Sequence, residues 1–337
     1  MPAELTGTEN GRGVGMRLLG AAAGGIACIL AASAAVAETI YVSNEKDNSI
    51  SVVDGASLTL VATIAVGQRP RGILLSQDNK YLYVCASDDD RIEVVDLASR
   101  EVVRTLPSGP DPELFVLHPD GNLLYVANED DNLVTVVDIR AGIVIGEIPV
   151  GVEPEGLGLS PDGKVLVNTS ETTNMAHFID TATHEIFDNV LVDTRPRAAE
   201  FTADGTQVWV TSEIGGTVSV IDAASREIVR KIGFAIPGVP PEAIQPVGVR
   251  VTRDGALAFV ALGPANRVAV IDGRSFEVTD YLLVGQRVWQ LVFNADQTRL
   301  YTTNGVSNDI SVIDVPALKV IKSVTVGQAP WGVAVAP

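Results

Sequence analysis

The sequence predicts an all-β fold in which seven four-stranded units close into a ring. Three observations predict it. A phrase of the form hydrophobic-x-V-[IV]-D occurs as SISVVD, RIEVVD, LVTVVD, MAHFID, TVSVID, RVAVID and DISVID. Its aspartates, Asp54, Asp96, Asp138, Asp180, Asp222, Asp272 and Asp314, stand 42, 42, 42, 42, 50 and 42 residues apart. Between them lie short runs of alternating β-branched and apolar residues punctuated by turn residues, with no long helical periodicity.

Each copy divides into four strands in the same order. First comes a YVxN-like strand: YVSN, YVCA, YVAN, LVNT, WVTS, FVAL and YTTN. A polar turn such as NEKDN leads to the strand that ends in the repeated aspartate. There the carboxylate can accept hydrogen bonds from turn amides just beyond it. A turn such as DLASRE opens the third strand, and a G-x-x-P loop opens the fourth. D-G turns at Asp120, Asp162, Asp204 and Asp254 then lead into the next copy. The one longer interval carries an eight-residue insertion, placed in the Pro-rich stretch Phe234 to Pro246.

Four-stranded units of this size are propeller blades. The chain opens on a YVSN strand and ends on WGVAVAP, a lone G-x-x-P strand. The expected fold is therefore a seven-bladed β-propeller of four-stranded antiparallel blades spanning residues 38–337. The C-terminal strand completes the N-terminal blade and removes two free sheet edges.

Residues 1–37 precede the repeats. Met16-Arg17 opens an uncharged run, Leu18 to Ala37, that ends in Ala35-Val36-Ala37 ahead of Glu38. A basic start, an apolar middle and an A-x-A end describe a secretory signal peptide cleaved after Ala37. Residues 1–15 form a polar upstream extension. The expectation is a periplasmic or secreted protein without stable membrane insertion after cleavage. An uncleaved anchor and a lipidated Cys28 are the alternatives.

The charge balance is 24 basic to 42 acidic residues, net −18, which argues against nucleic acid and anionic lipid as partners. Two cysteines exclude a disulfide scaffold, and Cys85 in YLYVCA reads as a buried thiol. Three scattered histidines (His118, His177, His184) make no metal triad. There is no G-x-S-x-G, P-loop, H-E-x-x-H or C-x-x-C-H motif.

The segments Tyr41-Val42-Ser43-Asn44 and Tyr125-Val126-Ala127-Asn128, with the V-I-D and G-x-x-P phrases, resemble the YVTN family of β-propeller repeats across residues 38–337. Seven such copies behind a signal peptide resemble the β-propeller group associated with catabolism dependent on pyrroloquinoline quinone (PQQ). That resemblance implies an accessory role beside a periplasmic quinoprotein alcohol dehydrogenase or an ABC transporter component. Fold resemblance alone does not assign an activity.

Function is expected where the copies differ. The loop into each innermost strand faces the central channel, so the residues flanking the G-x-x-P proline should ring one mouth. Before the proline stand Arg69, Asp111, Glu153, Arg195, Gln245, Arg287 and Ala329. After it stand Arg71, Glu113, Glu155, Arg197, Val247, Trp289 and Trp331, with Val288 replacing the proline in the sixth copy. Arginine forks bind carboxylates, tryptophan faces stack planar rings, and carboxylates hold a hard cation. PQQ, calcium or a lanthanide ion suits such a set; mutual pairing around a water-filled channel is the alternative. Glu45, Asp47, Asp88-Asp89-Asp90 and Glu129-Asp130-Asp131 are expected as a solvated rim.

The leading expectation is a non-catalytic binding or accessory protein. A lactonase-like hydrolase using the mouth carboxylates and arginines is the alternative, as is a protein-interaction scaffold using the outer rim. In that last case the insertion Phe234 to Pro246 is the candidate contact.

Overall fold

Each copy of the repeat folds as an antiparallel meander, because its apolar runs are too short for helices and are separated by turn residues at fixed offsets. The computed structural model describes residues 38–337. The expected signal peptide, its expected cleavage site and Cys28 lie outside the described residues. Strands β1 to β28, numbered in chain order, form seven four-stranded sheets. Blade 1 contains β1 (Thr39–Asn44), β2 (Ser49–Asp54) and β3 (Thr59–Ala65). Its innermost strand is β28 (Pro330–Ala336), paired antiparallel to β1 from Thr39↔Ala336 to Asn44↔Pro330. The ring therefore closes as the sequence implies. Blades 2 to 7 follow in order. Their innermost strands are β4 (Pro70–Leu75), β8 (Pro112–Leu117), β12 (Pro154–Leu159), β16 (Pro196–Phe201), β20 (Val249–Val251) and β24 (Val288–Phe293).

The core is divided like the sequence. Seven apolar clusters each bridge two neighbouring blades. Between blades 5 and 6, for example, Trp209 and Val220 pack with Val249 and Ile271. Trp209 is fully buried at the repeat's tyrosine position, and Cys85 is fully buried between blades 2 and 3. Burial raises the Cys85 thiol well above its ordinary range, so it is a packing residue and not a nucleophile.

The repeated aspartates are turn-formers. Oδ1 of Asp54 accepts from the Ser57 amide at 2.7 Å, and each of the other six accepts from the amide three residues on. The insertion lies between β19 (Ile228–Gly233) and β20. Its apolar residues do not stand free: Phe234, Ile236 and Val239 pack against the cluster between blades 5 and 6. They extend the core there, which weakens the expectation that they form a partner contact.

Candidate functional site

The residues before the G-x-x-P proline are held in a strained backbone conformation. Arg69, Asp111, Glu153, Arg195 and Ala329 take φ between 49° and 60°, and Arg287 before Val288 takes 56°. Left-handed φ is unfavourable for residues with a Cβ. A latch offsets it. Each of these amides donates to a side chain 21 residues earlier: to Asn48, Asp90, Asn132, Asn174, Asn266 and Asn308 respectively for Arg69, Asp111, Glu153, Arg195, Arg287 and Ala329, at 2.8–3.1 Å. The latch residues are themselves left-handed, at φ 50–60°, closing the turn between the YVxN-like strand and the strand that ends in the repeated aspartate. In the fifth copy Gly216 occupies the latch position, and there the insertion follows.

After the proline, the register shifts between the innermost strand and its neighbour, for example between Pro70 and Ile73. Such a bulge re-aims the side chain inside it. The result is two layers. Arg69, Asp111, Glu153, Arg195 and Arg287 form the outer layer and reach solvent. Glu113, Glu155, Arg197 and Trp331 lie beneath, with 0–4% exposure, and Arg71 is mostly covered. The mouth predicted as one ring is thus a partly exposed ring over a buried one.

The arginines are paired. Arg69 reaches Glu113 at 2.6 Å, Asp111 at 2.9 Å and Asp88 at 3.1 Å. Arg71 reaches Glu113 at 2.7 Å and Glu45 at 3.1 Å. Arg197 reaches Glu155 at 2.6 Å and also bonds Glu171. Arg195 bridges Glu171 at 2.8 Å and Glu213 at 3.2 Å. Arg287 is more loosely held, 3.3 Å from Glu213 and 3.4 Å from Gln245. Burial, opposed by Glu213 and reinforced by Arg197 and Arg195, lowers its pKa.

The tryptophans serve the arginines. Arg71 lies over Trp331 at 5.3 Å, and Arg287 and Arg197 lie over Trp289 at 4.4 and 5.9 Å. Trp331 is 1% exposed, so it offers no face to a planar ligand entering from solvent. That corrects its expected role as a stacking residue: its place is under Arg71.

The carboxylates outnumber the arginines, and the excess collects at blades 3 and 4. Oxygens of Asp111, Glu113 and Glu129 lie within 4.8 Å of one another, as do those of Glu129, Glu153 and Glu171. Glu129 belongs to both groups and has no salt bridge among the described residues. Burial, then Asp111 and Glu171, raise its pKa, while Glu113 as a hydrogen-bond partner opposes this. Burial also drives Glu113 up to about 8, with Asp111 and Glu129 adding to it against Arg71 and Arg69. Burial holds Glu155 well above the carboxylate range despite Arg197. For Glu171, hydrogen bonding from Glu155 and the charges of Arg197 and Arg195 outweigh burial and depress the pKa. Glu129 is therefore half-buried in the site and not on a solvated rim. Glu171 and Glu213 escaped the sequence reading. Their signal was present: Glu45, Glu129, Glu171 and Glu213 occupy one repeat position, directly after the YVxN-like strand.

The histidines serve the fold. His177 Nε2 accepts from the Gly151 amide at 3.0 Å, fixing the loop before Glu153. His118 contacts Asp120 at 3.2 Å in its own turn, and His184 follows the aspartate turn of Asp180.

Fold and mouth together define a seven-bladed β-propeller with a charged, divided channel opening. The family model of YNCE-like β-propellers matches residues 18–127. No curated protein matches the chain. Among solved structures, hydrazine synthase of Kuenenia stuttgartiensis is similar at TM-score 0.76 and 21% identity, over 82% of this chain and 92% of that one. A functionally unknown protein from Desulfotomaculum acetoxidans is similar at TM-score 0.75 and 18% identity, over 88% and 98%. A putative 6-phosphogluconolactonase from Bacteroides fragilis is similar at TM-score 0.75 and 17% identity, over 90% and 99%. At such identities the likeness is one of fold.

Proposed function

We propose that the protein is a non-catalytic binding protein of the periplasm or extracellular space whose channel mouth takes a hard cation at Glu129. The observation that carries this reading is the placement of Glu129. It is a half-buried carboxylate grouped with Asp111, Glu113, Glu153 and Glu171, and no arginine or lysine pairs with it among the described residues. Like charges so placed repel, and the repulsion is relieved by a proton or by a cation. An all-oxygen donor set suits calcium or a lanthanide ion. Arg195 and the loosely paired Arg287 offer donors to an anionic group on the other side of the mouth. A polycarboxylate such as PQQ would bridge the two halves.

The finer role, in PQQ-dependent alcohol catabolism beside a quinoprotein alcohol dehydrogenase or an ABC transporter component, rests on the resemblance of the repeats. The lactonase reading rests on fold likeness to the Bacteroides fragilis protein, and no residue of the mouth favours it over binding. A thermal-shift series with calcium, lanthanum and PQQ, singly and combined, tests the proposal. A ligand that binds only the folded state raises the melting temperature by mass action. A saturable rise with a cation supports the reading. No rise with any of the cations would overturn it and shift attention to protein partners.

A further inference from the structure

Beneath the mouth the inner strands line a half-open chamber of about 380 Å3, inside the size range of small-molecule pockets. Leu114, Ala198 and Gln290 begin its wall, each one residue past the mouth residues Glu113, Arg197 and Trp289. The rest of the wall is mostly aliphatic, from strands β4, β8, β12 and β16. One polar corner interrupts it. Glu200 and Arg250 occupy the same repeat position in neighbouring blades and pair at 3.1 Å. In the other five blades this position holds Leu74, Val116, Gly158, Val292 and Ala334. The fold closes five times without a charge there, so the ring does not require this pair.

The corner is also incompletely used. Both hydrogen bonds of the Arg250 side chain run through Nη1, to Glu200 Oε2 and to the Val249 carbonyl. Nη2, Nε and the Glu200 Oε1 have no hydrogen-bond partner among the described residues. Gln290 is 8% exposed, and its side-chain amide is likewise unpartnered among the described residues. These atoms face the solvent of the chamber, the Arg250 and Glu200 side chains being 34% and 27% exposed, so a polar group of a ligand can take the place of water there.

We propose that this chamber binds one small, neutral molecule with an apolar body and a hydroxyl head group, held by Glu200, Arg250 and Gln290. A hydroxyl both donates and accepts. It donates to Glu200 Oε1 and accepts from Arg250 Nη2 or the Gln290 amide. The aliphatic wall takes the apolar body. The pair carries no net charge, so a charged head group would lose its hydration without gaining a counter-ion.

Benzyl alcohol is the probe, with toluene and benzoate as comparators, and binding is read by calorimetry and saturation-transfer NMR on the purified protein. The expected result is saturable binding of one benzyl alcohol per chain, with benzoate weaker. Gln290→Leu, and the pair Glu200→Met with Arg250→Met, which leaves no orphan charge, should each weaken it on the order of tenfold. Val116→Phe, which narrows the chamber from its aliphatic side, should abolish binding of benzyl alcohol and toluene alike. The melting temperature of each variant reports folding, and Gln290→Leu carries the test if the double variant does not fold. Absence of saturable binding in the unmodified protein would overturn the proposal. So would equal affinity in Gln290→Leu, or benzoate binding more tightly than benzyl alcohol.

Discussion

At the residue scale, the mouth shows why charge at a rim and charge beneath it behave differently. Arg195 is half exposed and bridges Glu171 and Glu213 from the solvent side. Arg197 is 4% exposed and answers to Glu155, Glu171 and Glu213 together. Removing one partner of a buried ion network leaves an uncompensated charge, at a cost of about 3–5 kcal/mol. Arg197→Met should therefore lower stability by about that amount in denaturant titrations, while Arg195→Met should cost under about 1 kcal/mol. The buried carboxyls set a pH dependence. Glu113 has a folded pKa of about 8, above that of the unfolded chain. Its stabilising contribution is complete below the unfolded value and is lost as pH rises through about 8. Glu129 and Glu155 shift in the same direction, and Glu171 in the opposite one. With chelator present, melting temperature should fall as pH rises from about 4.5 to about 8, and Glu113→Gln should flatten that slope.

At the scale of the element, function depends on a latch as much as on the residues it presents. The Asn132 side chain holds the Glu153 amide at 3.1 Å, while both residues sit at positive φ. Asn tolerates that conformation better than Ala, and the lost hydrogen bond adds to the strain. Asn132→Ala should cost about 1–2 kcal/mol of stability. It should also weaken cation binding at the mouth, a readout that a remote packing defect would not move. The latch was within reach of sequence reading, since Asn or Asp recurs 21 residues before the mouth residue in six copies. The bulge after the proline was less legible. It depends on strand register, which is set by pairing partners and not by local residues. That is why Arg69 and Arg71 read alike in sequence, yet Arg71 turns inward over Trp331. It is also why Glu171 and Glu213 were passed over: they come from the neighbouring strand's turn, and only the folded blade brings them to the G-x-x-P loop.

At the scale of the whole molecule, the ring was the most legible feature, because one spacing of 42 residues fixes blade, core interface and closure together. Seven copies of one interface also mean that no single cluster holds the fold. The seam between β28 and β1 is the exception, since only strand pairing and packing join the chain ends there. Glu38 reinforces the seam by bonding Tyr301 and Asn294 of blade 7. Deleting residues 330–337 should open the ring and broaden the unfolding transition, as seen by calorimetry. The ring is also what concentrates unlike residues at one opening, so the account stands or falls on what that opening binds. The most direct measurement is a calorimetric titration of the protein with calcium and with lanthanum, beside Glu129→Gln. The account predicts one saturable site per chain in the unmodified protein and none in the variant, which should itself melt at a higher temperature once the repulsion is relieved. Titration without a saturable site, or an equal site in Glu129→Gln, would contradict it.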